Sequence, residues 1–543
     1  MASDEVPVLI VGGGPVGLAT SLLCSHYGIR SLLVEQHPGT SIYSKARIIN
    51  ARTMEIFRQL GIERAVRAAE IPHARNGVVA RSLAGEELAR WPGEAVLPEG
   101  VRDWSPTWGC TSTQETFEPI LLAQARLREP AQIRFNTELL SFEQRDDRVV
   151  ARLLDRPSGR VWEVRARYLV GADGAHSRVR EALGIRMLGE PVLAHRINIL
   201  FRADLARWVG DREISACFIV NPQIDPHAPG LLIYNGGDRW RFQVYYYPDR
   251  GERPEDYTPE RCQELVRTAV GVPDLALELD GIVDWSDAAL VAERFGDRRA
   301  FLVGDAEHQM TPAGGFGMNV GIQDAHNLVW KLAAVLGGWA APTLLATYDA
   351  ERAPIVREIT EQMARNVVTA ARAASRTAPT GPAPDLFAQH GRVFGATYAS
   401  PAIVPDGTVP PDVAAPVADY VPTARPGRRA PHVWLDRAGE RISTLDLFDT
   451  AFVLLAGQAG RGWCEAARAV AGDLGVPLHA YTVGEGSDLG DPDASWAAAY
   501  GVEPDGAVLV RPDGYVAWRS RGASRDAEGV LADAFGRVLQ RAA

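Results

Sequence analysis

The sequence predicts a multidomain α/β protein, and three observations carry that reading. A strand–helix–strand unit of about 30 residues opens the chain. A central stretch, rich in β-branched and aromatic residues and punctuated by turn signals, reads as an antiparallel sheet. After a stretch crowded with Pro and Ala, alternating strand and helix signals return. A chain of 543 residues is too long for one hydrophobic core, so roughly two to four domains are expected.

Taken in order, Val8–Val11 is the first strand, Pro15–Tyr27 an amphipathic helix that Gly28 ends, and Ser31–Val34 a second strand closing on Glu35. Ala51–Gly61 is helix-like. Arg196–Arg202, Ile214–Val220, Gly230–Tyr234 and Arg239–Tyr247 read as strands of a sheet inserted into the α/β domain. Leu302–Val303 returns to a buried strand, and Asn319–Leu336 is a long helix. Residues 376–430 read as a linker that wraps over other domains. Strands Phe452–Leu455, His479–Val483, Ala507–Arg511 and Tyr515–Trp518, with a helix Cys464–Leu474, make a separate small domain. The expected organisation is a discontinuous first domain (1–185 and 286–395) and an inserted sheet domain (186–285, with parts of 75–110). A linker (396–429) and a last domain (430–543) follow.

Composition removes several classes of function. With 46% hydrophobic and 23% charged residues the chain is ordinary globular material. Its net charge of −11 argues against nucleic-acid partners, because phosphate binding needs a basic stripe. Lys45 and Lys331 are the only lysines, a bias toward Arg that says little about function. Cys24, Cys110, Cys217, Cys262 and Cys464 lie far apart without a CxxC pair. That spacing excludes a zinc ribbon and a disulfide framework and fits a reducing compartment. No metal site is expected. The N-terminal apolar run lacks a basic flank and breaks on glycines, and no uncharged run is long enough to span a bilayer. A cytoplasmic protein without a membrane partner is expected.

Three motifs carry chemistry. Gly12-Gly13-Gly14-Pro15-Val16-Gly17 is a GxGxxG between strand and helix. Gly12 permits the tight turn, Gly14 lets backbone N–H groups approach a pyrophosphate, and Gly17 allows close helix–strand packing. Glu35 lies 18 residues past Gly17, where a carboxylate accepts from both ribose hydroxyls and repels a 2′-phosphate. The similar-looking Gly484–Gly490 has the wrong spacing and reads as a surface loop. The second motif, Gly171 to Arg178, places Asp173 and Gly174 on a strand-to-helix turn, where a carboxylate also serves as a helix cap. The third runs from Gly304-Asp305 through Pro312 to Asn319. Asp305 ends a strand, and a glycine-rich loop then aims the start of a long helix at something electron-rich.

In this order and at this separation, the motifs resemble those of the FAD-dependent aromatic hydroxylases of the p-hydroxybenzoate and phenol hydroxylase type. The match is closest to the branch acting on aromatic polyketides and related bacterial polycyclic metabolites, and it covers residues 1–395. The resemblance implies a Rossmann-like FAD-binding domain with an inserted antiparallel-sheet substrate domain. It implies non-covalent FAD, with NADPH or NADH as co-substrate, O2, and a polycyclic aromatic small molecule as partners. By the same resemblance Gly12, Gly14, Gly17 and Glu35 hold the FAD pyrophosphate and ADP ribose, and Asp173 belongs to a turn serving FAD and NAD(P)H. Asp305 binds the ribityl chain, and Pro312, Gly315, Gly317, Met318 and Asn319 form the loop under the isoalloxazine. Gln114, just before a helix Phe117–Leu127, contacts the flavin. The family often has Pro-Arg-Ala where this chain reads Ser44-Lys45-Ala46. Lys45 keeps a positive charge without the planar fork, so a flavin contact there falls to Lys45 or Arg47.

The tail 430–543 resembles the thioredoxin-like C-terminal α/β domain of that branch. Gly462-Trp463-Cys464 stands where thioredoxins place a redox motif, but there is no second cysteine for disulfide exchange. A structural or dimer-supporting module is expected, in a monomer or homodimer. The implied reaction is hydroxylation of a polyketide-like ring through a C4a-hydroperoxide of the flavin. Baeyer–Villiger chemistry on a similar substrate, or sequestration of an unstable intermediate without oxygenation, are the alternatives. No catalytic base is assigned. His308 reads as a packed neighbour of the flavin loop and Lys331 as solvated. Strand alternation sends about half of Tyr234, Trp240, Phe242, Tyr245 and Tyr247 into a substrate cavity. Trp104 and Trp108 remain open between core and cavity. No conspicuous basic cluster is seen in the inserted sheet, so stacking and burial are expected to dominate recognition.

Overall fold

The computed structural model describes residues 4–43, 45–92, 101–312, 314–374, 390–413 and 419–541. Ser44, Ala313, part of the 75–110 segment and parts of the Pro- and Ala-rich stretch lie outside the described residues. The first sheet is built around Asp4–Val11, which pairs in parallel with Ser31–Val34 on one side and Arg160–Gly171 on the other. Ala131–Arg134 and Ala300–Leu302 extend it in parallel at either end. Val8, Leu9 and Ile10 are fully buried, as expected of a parallel strand covered on both faces. The helix Pro15–His26 packs against the helices Gln114–Leu127 and Phe316–Leu336.

A second sheet has eight strands. Its order is His308–Gln309, Glu278–Ala292, Met187–Arg202, Arg239–Tyr246, Gly230–Tyr234, Ile214–Ile219, Asn76–Ala80 and Glu87–Pro92. One side packs on the helix Pro259–Val270, which starts on the Thr258 cap and ends at Gly271 with φ of 81°. The third sheet joins Leu478–Val483, Phe452–Gly457, Ala507–Val510 and Val516–Ser520, with the first pair parallel and the others antiparallel. The chain is thus a Rossmann-like domain with a sheet domain and a C-terminal α/β domain.

The last domain is not separate in its packing. Its Phe452 lies edge-on to Trp330 and Trp339 of the first domain, with ring centroids 5.9 and 6.1 Å apart. Tyr398, in the segment read as a linker, stacks on Tyr515 at 3.9 Å. The buried apolar cores of the two domains are continuous. Among the described residues, no helix is long and apolar enough to cross a membrane.

Candidate active site

The glycine turn shows why each glycine is there. Gly12 has φ of 109°, and a Cβ on it would lie 2.2 Å from the Ala172 carbonyl oxygen. A Cβ on Gly17 would lie 2.0 Å from the Gly12 oxygen, so both positions are closed by backbone. Gly14 differs: a Cβ there meets nothing within 4 Å, which leaves an open cradle at the start of the helix Pro15–His26. The first-turn N–H groups point into that space without intrahelical partners. Glu35 closes the cradle. Its carboxylate accepts from the Gly13 N–H at 2.6 Å and from the His37 N–H at 2.8 Å, with the His37 ring at 2.6 Å.

The turn after Arg160–Gly171 abuts this cradle through Ala172. Asp173 accepts from the Ser177 hydroxyl and from the Val179 N–H at 3.1 Å, so its carboxylate organises the start of the following helix. Burial raises its pKa against those bonds. Asp305 is the opposite case. It stands on the tight turn Gly304–Ala306 and makes no hydrogen bond or ion pair among the described residues. Its carboxylate is solvent-accessible yet walled by protein, and desolvation raises its pKa against the nearby Lys45. A Cβ on Gly317 would lie 4.0 Å from an Asp305 oxygen, which puts that carboxylate beside the first turn of the long helix.

The long helix begins at Phe316, three residues before the expected start, because Gly315 with φ of 66° caps it. The N–H groups free at its end are therefore those of Phe316, Gly317 and Met318. Pro312 is exposed in the preceding loop and accepts from the Gly315 N–H at 3.1 Å. The Asn319 side chain turns away from the cleft. It donates to the Ile48 and Gly315 oxygens at 2.9 and 2.6 Å and accepts from the Asn50 N–H at 2.9 Å. Gln114 opens the helix Gln114–Leu127 instead of preceding it, and it pairs with Ala46 through backbone and side chain at 2.9 and 3.2 Å. It therefore fixes the segment carrying Lys45 and Arg47. Lys45 is exposed. Arg47 is buried and donates to the Ser215 and Tyr234 oxygens of the second sheet at 3.1 and 2.8 Å.

Along Arg239–Tyr246 the side chains alternate. Trp240, Phe242, Val244 and Tyr246 enter the sheet's own core, as does Tyr234, so these aromatics do not line a cavity. The other face carries Arg241, Gln243 and Tyr245, with Asn198 accepting from the Gln243 amide at 2.9 Å. Arg196 pairs with Asp287 at 2.6 Å and lies 4.3 Å from the Tyr245 ring centroid. Tyr247 instead donates to Asp225 at 2.8 Å, Trp108 lies under Arg67, and Trp104 meets Tyr420 edge-on. The inserted sheet, expected to hold no conspicuous basic cluster, contributes Arg241 here, beside Arg47 of the first domain. Arg47 and Arg241 lie close together, and burial lowers them to about 9 and about 10, Arg241 adding to the effect on Arg47. The signal for this wall was the alternation Arg-x-Gln-x-Tyr, which is polar on the face opposite the aromatic one.

Beneath the long helix lies a buried ionic layer. Lys331, expected in solvent, is fully buried and pairs with Glu351 at 2.9 Å, and burial lowers its pKa to about 8. Arg511 of the last domain reaches the same Glu351 at 2.6 Å. Asp324 holds Arg352 at 2.6 Å and His308 at 2.9 Å. Glu307, His308 and Asp324 gather in one buried cluster.

FAD fits these residues. The open cradle at Gly14, the uncommitted Asp305 carboxylate and the free first turn at Phe316 present the donors and the acceptor that a diphosphate, a ribityl chain and a flavin ring need. Comparison with known proteins agrees. An FAD-binding domain family matches residues 5–363, and the C-terminal domain of aromatic-ring hydroxylases matches residues 423–542. A putative polyketide hydroxylase of Streptomyces halstedii is 45% identical, with 95% of this chain and 94% of that protein covered. The structure of the flavin-dependent monooxygenase PieE with FAD and substrate matches at a TM-score of 0.92 and 36% identity over all of both chains. A ternary complex of aklavinone-11 hydroxylase with FAD and aklavinone matches at 0.89 and 39%, again over all of both chains. The chain belongs to the FAD-dependent aromatic-ring hydroxylases, as a monooxygenase that carries both the FAD-binding domain and the C-terminal domain of that family.

Proposed function

We propose that this enzyme hydroxylates a polycyclic, polyketide-derived phenol or quinone, using NADPH or NADH and O2, in the biosynthesis of a bacterial aromatic metabolite. The observation that carries this reading is the wall of Arg241, Gln243, Tyr245 and Asn198 on the sheet face opposite its aromatic core. Such a wall offers separated polar contacts to a wide, flat molecule bearing several oxygens. The likeness to a hydroxylase crystallised with aklavinone supports the same class.

When bound, FAD would supply the redox chemistry, the acceptance of hydride and the activation of O2. This chain's residues bind and orient. The Gly12–Gly17 turn and its helix dipole hold the diphosphate, Glu35 the ribose and Asp305 the ribityl chain, with Lys45 beside it. Gln114 keeps Ala46, and with it Lys45 and Arg47, in register. The Phe316, Gly317 and Met318 N–H groups stabilise negative charge at the edge of the ring system they face. Arg241 and Gln243 orient substrate oxygens.

The test is initial NAD(P)H consumption against a panel of one- to four-ring phenols, with product followed by mass. Polycyclic phenols are expected to stimulate consumption at micromolar levels and to gain one oxygen. A higher kcat/KM for single-ring phenols or benzoates would overturn the substrate class.

A further inference from the structure

Glu307 follows the Gly304–Ala306 turn and faces groups from every element around it. Asp324 comes from the long helix, Tyr348 and Arg352 from the following helix Thr347–Ala374, and His308 is its chain neighbour. Asp305 stands two residues before it, and Arg180 donates to the Ala306 oxygen at 3.0 Å. The side chains of Glu307, His308, Asp324 and Arg352 are fully buried. We propose that Glu307 is a neutral carboxylic acid in the folded protein, the proton-bearing member of this cluster. In that form it is a positioning residue that keeps a second negative charge away from the turn presenting Asp305.

Three observations require the proton. The first is a donor count. The Tyr348 hydroxyl lies 2.8 Å from the Leu302 oxygen and 3.0 Å from Glu307 Oε2, yet it has one proton. Both contacts are hydrogen bonds only when Tyr348 donates to Leu302 and the Glu307 O–H donates to Tyr348. The second is a charge count. Asp324 and Arg352 balance each other at 2.6 Å. An ionised Glu307 would then leave a carboxylate without a counter-ion in a dry interior. The third is His308, whose Nε2 lies 3.8 Å from Glu307 Oε1 and which, with Arg352 held by Asp324, is the remaining candidate counter-ion in the cluster among the described residues. Its Nε2 faces Asp324 at 2.9 Å, while its Nδ1 has no partner. An imidazolium would therefore bury an unsatisfied N–H, whereas the neutral ring needs only the Nε2–H bond to Asp324. Burial first, and the Asp324 charge second, push the Glu307 pKa up, against Tyr348 and Arg352.

The proton makes stability fall with pH. An unfolded Glu307 ionises above its ordinary value of 4.5, whereas the folded one keeps its proton. Folding then takes up a proton, and its equilibrium constant falls about tenfold for each pH unit above that value until the folded group ionises. The measurement is the unfolding free energy of the full-length chain and of Glu307→Gln at several pH values from about 5 to about 8. The variant's folding constant is expected to gain on the parent's by about tenfold per pH unit. Parallel profiles would overturn the proposal. Carbon-13 NMR of the parent, labelled at its glutamate carboxyls, tests the same point if the variant does not fold. One resonance should keep its protonated shift at about pH 8, and its absence would overturn the proposal. So would one equivalent of a divalent metal in the purified protein that Glu307→Gln releases.

Discussion

Asp305 and Asn319 are neighbours in one motif with opposite duties. Asp305 has a free carboxylate in the cleft, so it is available to a ligand hydroxyl. Asp305→Ala is expected to weaken FAD retention by about 1.5–3 kcal/mol, the worth of a hydrogen bond to a charged group, with little change in the stability of the apoprotein. Fluorescence titration of the apoprotein with FAD checks it, and an unchanged dissociation constant would show the carboxylate to be misassigned. Asn319 has no such freedom, because three backbone groups of the 48–50 and 315 positions occupy its amide. Asn319→Ala leaves buried donors and acceptors unmatched and is expected to lower unfolding free energy by about 1–3 kcal/mol. Chemical denaturation of the apoprotein reads that loss directly, so the two variants separate ligand contact from scaffold.

At the scale of elements, the long helix and the Gly304 turn meet without side chains between them. A Cβ on Gly321 would lie 2.8 Å from the Gly304 Cα and 2.7 Å from a Val16 methyl. Gly321→Ala should push the helix off the turn, at a cost of about 1–3 kcal/mol, and lower FAD content as purified. The second element is the strand Arg239–Tyr246. Gln243→Leu should raise KM for a polycyclic substrate about tenfold, the worth of one hydrogen bond, while FAD content stays as in the parent. Steady-state kinetics with a flavin spectrum decides it. The sequence made the opening strand–helix–strand unit legible because glycine spacing and apolar runs are local signals. The face of Arg239–Tyr246 was not legible. The pattern shows alternation but not which side meets the helix Pro259–Val270, and the bulky aromatics went to the core. Lys331 was misread for a related reason: its two partners, Asn327 one turn away and Glu351 on another helix, form a buried site that helical periodicity alone does not reveal.

At the scale of the whole molecule, the last domain shares a continuous buried core with the first. Cys464 is buried and its thiol is pushed up to about 11, so it has neither the partner nor the thiolate that redox exchange requires. Cys464→Ser is expected to leave NAD(P)H-dependent turnover near the parent's, measured per bound flavin. The ionic layer is another matter. Arg52 and Arg429 both hold Glu55, and Arg52 also donates to the Asp513 oxygen at 2.9 Å. Arg511 bridges Glu351 of the first domain and Asp513 of its own, all three buried. Removing Arg511 leaves the Glu351 and Asp513 carboxylates with Lys331 as the buried cation beside them among the described residues. Breaking a buried pair in this way costs about 3–5 kcal/mol, because the remaining charges stay out of water. Were the last domain an independent module, Arg511→Met would melt it in a separate early transition while the flavin stayed bound. The continuous core around Phe452, Trp330 and Trp339 predicts otherwise. A calorimetric scan should show one transition displaced to lower temperature, and the rise in flavin fluorescence on FAD release should move with it. Two resolved transitions, with flavin lost only in the second, would show that the domains fold apart.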